Sequence, residues 1–205
     1  MVIKQHKNVT NIRGKQLSKT FRKIGTDSPH GIYVYKAKEQ VWELIRVDGE
    51  AFKPWEKGVY VIYFDNTKCP ACRRYDDIWF PFVEKWINER KDSTKFVIIL
   101  CDWFARECKS QAASESFKKF EIHASPTTIV LYADDSGEIK YQEKYEGVLY
   151  EFELKLILEG FEERAVKAMK GEKVSPPIAK ESSSKALEDL IMQIIRSILA
   201  GEKKT

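Results

Sequence analysis

The chain has 205 residues and a formal net charge of +4, with 43% hydrophobic and 32% charged residues. That length accommodates one core with extensions, and that apolar content excludes a wholly disordered chain. The excess charge is too small to argue nucleic-acid binding by itself, and the longest purely apolar run, Phe96 to Cys101, is too short to span a bilayer. The start, MVIKQHKNVT, lacks the apolar stretch of a secretory signal, so the expectation is a cytoplasmic protein. Lys and Glu are abundant while Asn and Gln are sparse, a balance that leans toward a thermophilic source.

Residues 1–28 form a basic N-terminal arm. Lys4, Lys7, Arg13, Lys15, Lys19, Arg22 and Lys23 face a single acid, Asp27. Such an arm reads first as a solvated terminus; an acidic partner, a membrane surface or RNA are the alternatives. A short helix is predicted over residues 9–24. Gly31 to Tyr35 and Val41 to Val47 read as strands paired in a hairpin. Val59 to Phe64 is a continuous apolar run, as in a strand buried on both faces. Ala71 to Asn88 has helical spacing, with Tyr75, Ile78, Trp79, Phe82, Val83, Trp86 and Ile87 on one face. Pro81 predicts a kink in it. Lys95 to Cys101 is a second buried strand, residues 105–119 a polar helix, and Thr127 to Tyr132 a third strand. Asp134 to Gly137 makes a hairpin turn into a fourth strand, Ile139 to Tyr145. Tyr150 to Met169 reads as one amphipathic helix. Residues 29–170 thus make an α/β domain with a leading β-hairpin. A linker over 171–184 and an amphipathic C-terminal helix over 185–201 follow. The helix docks on the domain or pairs with a second copy into a dimer.

The feature that carries chemistry is Cys69-Pro70-Ala71-Cys72, between a buried strand and the first turn of a helix. Unpaired N–H groups and the positive end of the helix dipole favour an anion there, and the thiolate is the form that attacks a disulfide. Two intervening residues put Cys72 within one turn, where it can resolve a mixed disulfide. Pro70 suits the first helical position. Lys68, Arg73 and Arg74 add positive charge.

This segment resembles the thioredoxin superfamily over about residues 58–165. The second mark is Ser125-Pro126-Thr127 leading directly into the strand TTIVLY, and Gly147 follows the last strand. The resemblance implies a three-layer sandwich, a central mixed sheet flanked by helices, with N- and C-terminal extensions. It also implies that Pro126 is cis and faces Cys69 and Cys72, with Ser125, Pro126 and Thr127 holding an extended substrate segment. The activity implied is thiol–disulfide exchange with protein disulfides, recycled by a thioredoxin-reductase-like partner. The only redox group needed is the Cys69–Cys72 dithiol; no cofactor, metal or nucleic acid is called for. The sequence departs from the family at Lys68, where a tryptophan is usual, and at Tyr63, where a buried acid is usual. Asp65 and His123 are candidate substitutes for that acid, each also readable as an ordinary loop residue. The inner Pro-Ala, in place of Gly-Pro, leaves the redox direction open.

Cys101 and Cys108 admit three readings: a local disulfide, a relay pair exchanging with Cys69–Cys72, or two free thiols. The rivals to catalysis are a binding module on the same fold and a four-cysteine zinc site, the latter with an awkward second spacing, C-x6-C. Trp79 and Trp86 fall on the core face; Trp103 is a candidate lip of the site.

Overall fold

The computed structural model describes residues 19–90, 94–102 and 107–178. Seven strands form one mixed sheet in the order β1-β3-β2-β5-β4-β6-β7. They are β1 (Lys19–Phe21), β2 (Gly31–Lys36), β3 (Val41–Arg46), β4 (Gly58–Asn66), β5 (Lys95–Cys101), β6 (Thr127–Ala133) and β7 (Ile139–Glu146). The helices are α1 (Pro70–Arg90), α2 (Gln111–Lys119), α3 (Glu151–Glu159) and α4 (Phe161–Met169). β4 and β5 run parallel, joined through α1, while β6 and β7 form an antiparallel hairpin beside β4.

The central strands are apolar on both faces because a helical layer covers each. Along β4, Val59, Val61 and Tyr63 enter the core beneath α1, α3 and α4; Tyr60, Ile62 and Phe64 enter the core beneath α2. The same alternation sends Phe96, Ile98 and Leu100 of β5 to the first layer and Val97, Ile99 and Cys101 to the second. This is the period-two geometry of a pleated strand. Aromatic rings lock α1 to the sheet: Tyr63 meets Tyr75 at 4.9 Å and Trp79 at 5.3 Å between centroids. Trp79 and Trp86 are both buried.

Three local expectations need correction. Lys19–Phe21, placed at the end of a predicted helix, is an edge strand paired with β3. Ile24, within the same basic arm, is a core residue, so tertiary pairing overrides the local pattern. The single helix predicted over residues 150–169 is two helices that meet at Gly160. Just past the break, Arg164 bonds to Glu143 of β7 and to the Ile157 carbonyl. The helix predicted over 105–119 starts only at Gln111, where Ser110 caps it by accepting from the Ala113 N–H at 3.1 Å. α1 continues through Pro81 as one helix. The first eighteen residues of the arm, Trp103, the end of the linker and the C-terminal helix lie outside the described residues. Among the described residues no helix is long and apolar enough to cross a membrane.

Candidate active site

Cys69 immediately precedes α1, whose first residue is Pro70. A tight turn brings it there. The Cys69 N–H donates to the Asn66 carbonyl at 3.1 Å, and the Lys68 N–H to the Asn66 side chain at 3.3 Å. Once α1 starts, its free N–H groups point back along the axis. One of them, from Cys72, donates to Cys69 Sγ at 3.2 Å, while the Arg73 N–H takes the Cys69 carbonyl at 3.2 Å. Cys69 is half-buried and Cys72 fully buried, and both are free thiols.

The loop before β6 faces them. The Ser125–Pro126 peptide is cis. Cys69 Sγ lies 3.4 Å from the Ser125 carbonyl, which accepts its hydrogen bond, and Cys72 Sγ lies 3.0 Å from Ser125 Oγ. Thr127 Oγ1 donates to the Ala124 carbonyl at 2.8 Å and the Gly147 N–H to the Pro126 carbonyl at 2.7 Å, which holds the loop from both sides. Gly147 has φ of 86°, a conformation glycine adopts freely. Four residues named from the sequence therefore converge: Cys69, Cys72, Ser125 and Pro126.

Beneath Cys72 lies a cluster of charge. The Tyr63 hydroxyl sits 3.1 Å from Asp65 Oδ1, 3.1 Å from Asp76 Oδ1 and 3.2 Å from the Cys72 carbonyl. Arg73 pairs with Asp65 Oδ1 through Nη2 and with Asp76 Oδ2 through Nη1 at 2.9 Å. Asp65 Oδ2 and Arg73 Nε are buried and find no protein partner among the described residues. Burial, and then the negative charge of Asp65, push the Cys72 thiol well above the usual range. Burial and then Asp65 also raise the Asp76 carboxyl, to about 7. Tyr63 is held well above its ordinary value, first by burial and then by Asp65. Burial opposes the charge on Arg73, and the two carboxylates outweigh it, so the guanidinium stays charged.

Two of the three cations expected to act on the thiols pair with carboxylates. Arg73 is taken up by Asp65 and Asp76. Lys68 pairs with Asp102 Oδ2 at 3.0 Å and Glu107 Oε2 at 2.7 Å. Arg74 and His123 are exposed. Of the two candidates for the missing acid, His123 is exposed and Asp65 is buried beside the Tyr63 hydroxyl. Pro70 is exposed and Ala71 half-buried at the head of α1. Asp76 and Asp102 were not singled out in the sequence. For Asp76 the signal was there: it stands three residues after Arg73, the spacing of a helical ion pair.

Cys101 and Cys108 form a disulfide. Cys101 pairs in register with Asn66, so it does end on the same sheet edge as the motif. Its side chain, however, enters the core beneath α2, whereas Cys72 belongs to the core beneath α1. The two sulfur pairs lie in opposite layers, which disfavours direct exchange. The bond also removes both sulfurs from any four-cysteine zinc site.

No protein-family profile and no curated protein matches the sequence. Among solved structures, the thioredoxin of Aeropyrum pernix is similar at 16% identity, covering 67% of this chain and 97% of that one, with a TM-score of 0.42. The thioredoxin of Trichomonas vaginalis is 19% identical over 51% of this chain and 79% of its own, TM-score 0.37. The oxidised mitochondrial thioredoxin 3 of Saccharomyces cerevisiae is 21% identical over 53% and 81%, TM-score 0.34. By its own strand order, with a dithiol at the head of α1 and the Ser125–Pro126 loop facing it, the chain is thioredoxin-like in fold.

Proposed function

We propose that the protein is a thiol–disulfide oxidoreductase acting on protein disulfides through Cys69 and Cys72. The observation that supports this most is the environment of Cys69 Sγ. It is half-exposed, it accepts an N–H from the first turn of α1, and it stands beside the Ser125 carbonyl in front of Pro126. An N–H aimed at sulfur solvates the anion that exchanges disulfides. Cys72, buried and bonded to Ser125 Oγ, is the resolving thiol.

In the reductive direction the Cys69 thiolate attacks one sulfur of a substrate disulfide. A Cys69–substrate disulfide forms and the other substrate sulfur leaves as a thiolate, which solvent protonates. Cys72 then attacks Cys69 Sγ, its proton passing to Asp65, the carboxylate whose charge it feels most. The second substrate thiolate leaves, and Cys69 and Cys72 end as a disulfide, oxidised by the two electrons the substrate has gained. A dithiol-delivering reductase closes the cycle, and the backbone beside Pro126 holds the substrate chain. The same steps reversed make it an oxidase.

Insulin reduction with dithiothreitol as the electron source tests the reading. The wild-type chain accelerates precipitation of the insulin B chain, and Cys69→Ser reduces the rate to the uncatalysed background. Equal activity in the variant removes the proposal and leaves a binding module on the same fold.

A further inference from the structure

The charge beneath Cys72 does not balance if every group ionises. Two carboxylates, Asp65 with its side chain fully buried and Asp76 13% exposed, share the single guanidinium of Arg73. Tyr63, from β4 like Asp65, presents a neutral phenol within 3.1 Å of both. Gly25, in the segment before β2, lies against Arg73 Nη1 and brings no charge. Asp77, the next residue on α1, adds repulsion of the same sign. With both carboxyls ionised the cluster carries one uncompensated negative charge in a site shielded from water; with one proton it is neutral. Burial favours the neutral state. Two carboxylates so joined take up protons as a pair rather than singly.

This inference rests on reading Cys69 and Cys72 as the redox dithiol. We propose that Asp65 and Asp76 work as one base for the proton leaving Cys72, in which Asp76 is a positioning residue that shares the Arg73 guanidinium and the Tyr63 hydroxyl with Asp65. An isolated carboxylate beside an arginine is too weak a base to hold that proton near neutrality. The pair, joined through Arg73 and the Tyr63 hydroxyl, becomes neutral on accepting it. The value near 7 for Asp76 agrees with this, since a general base works best when its affinity matches the ambient pH. As Cys72 attacks, its S–H bond breaks and the proton settles on the pair. The Cys72–Cys69 bond forms and the Cys69–substrate bond breaks. The electron pair of that bond leaves on the substrate sulfur, and solvent supplies the proton to it.

The test uses the reduced full-length chain and a chromogenic aromatic disulfide that yields one coloured thiolate when Cys69 attacks and a second when Cys72 resolves. The ratio of the second rate to the first is followed against pH. In the wild-type chain this ratio rises with pH through a step near neutrality, as the pair loses its shared proton. Asp76→Asn abolishes the step and lowers the ratio about tenfold at alkaline pH, less than the hundredfold or more that a general base itself contributes, because Asp65 remains. Asp76→Glu restores the step. Tyr63→Phe, which leaves all charges in place, displaces its midpoint and serves as the reading if Asp76→Asn does not fold. A pH profile unchanged in Asp76→Asn, or a midpoint unmoved in Tyr63→Phe where that is the reading, overturns the proposal while the redox reading stands. Absence of the first release in the wild-type chain defeats the redox reading itself.

Discussion

Asp76→Asn carries a thermodynamic consequence separate from any assay of exchange. The Asp76 carboxyl is held at about 7 against an ordinary 3.8, by burial first and Asp65 second. A carboxyl whose native value lies above its unfolded one binds its proton more tightly when folded. Its contribution to stability is therefore complete below about pH 4 and is lost as pH rises through about 7. At roughly 1.4 kcal/mol for each pH unit, ionising Asp76 in place destabilises the fold by up to about 4 kcal/mol. Asn nearly matches the side chain in shape and cannot titrate. Chemical denaturation at about pH 5 and about pH 8.5 measures both proteins. Near pH 5 the variant should already lead by about 1–2 kcal/mol, because the unfolded Asp76 carboxyl ionises above about 3.8 while the folded one keeps its proton. Near pH 8.5 the variant should lead by as much as about 4 kcal/mol, the gap having opened by about 3 kcal/mol between the two conditions. A gap that stays constant with pH would refute the picture of a carboxyl stripped of water beside a second carboxylate. A gap of opposite sign, the wild type gaining as pH rises, would show that Arg73 holds Asp76 ionised and that the cluster is an ordinary salt bridge.

Two further outcomes follow from the charge and sulfur placement. Replacing both Cys101 and Cys108 by Ser opens a loop closed across seven residues of separation, which should cost about 2–3 kcal/mol in denaturant unfolding. Insulin reduction should stay within a factor of about two of the wild type, since Cys101 occupies the layer opposite Cys72; a tenfold loss would reinstate the relay between the two pairs. Glu143→Gln should cost about 3–5 kcal/mol, because it leaves Arg164, whose Nε and Nη2 reach Glu143 at 2.6 and 2.9 Å, as a largely buried and unpaired cation. A loss below 1 kcal/mol in chemical denaturation would show that water replaces the carboxylate.

The parts of the fold legible in the sequence are those where one physical signal acts alone. Lys95 to Cys101 reads as a strand with its bounds intact because six residues in a row, Phe96 to Cys101, are buried between two helical layers, and no other local demand competes. Cys69 and Cys72 are legible for a similar reason: their spacing and position at a strand–helix junction need no partner to be interpreted. The edge strand β1 is illegible, because Lys-Thr-Phe has no pattern of its own and becomes a strand only by pairing with Leu44, Glu43 and Trp42. The break at Gly160 is hidden by an apolar spacing that runs through it, and it is accompanied by a bond from Arg164 to a carboxylate twenty-one residues away in sequence.

The electrostatics of the site were the least legible, and the reason is instructive. From composition, Lys68 and Arg73 beside the motif read as charges acting on sulfur. In the fold a charge acts on whatever shares its layer, and both cations find carboxylates first. Lys68 turns to Asp102 and Glu107; Arg73 turns inward to Asp65 and Asp76. Sequence adjacency told which residues were near the cysteines, while the direction of each side chain decided whether their charge reached them. For Cys72, after burial, the charge that acts most is the negative one of Asp65. The consequence runs against the simple expectation of a positively tuned dithiol. The half-buried sulfur of Cys69 accepts a backbone N–H at the head of α1, and the fully buried one of Cys72 lies where burial and a carboxylate both oppose its ionisation, so the two thiols are made different by burial and direction and not by the number of lysines and arginines around them.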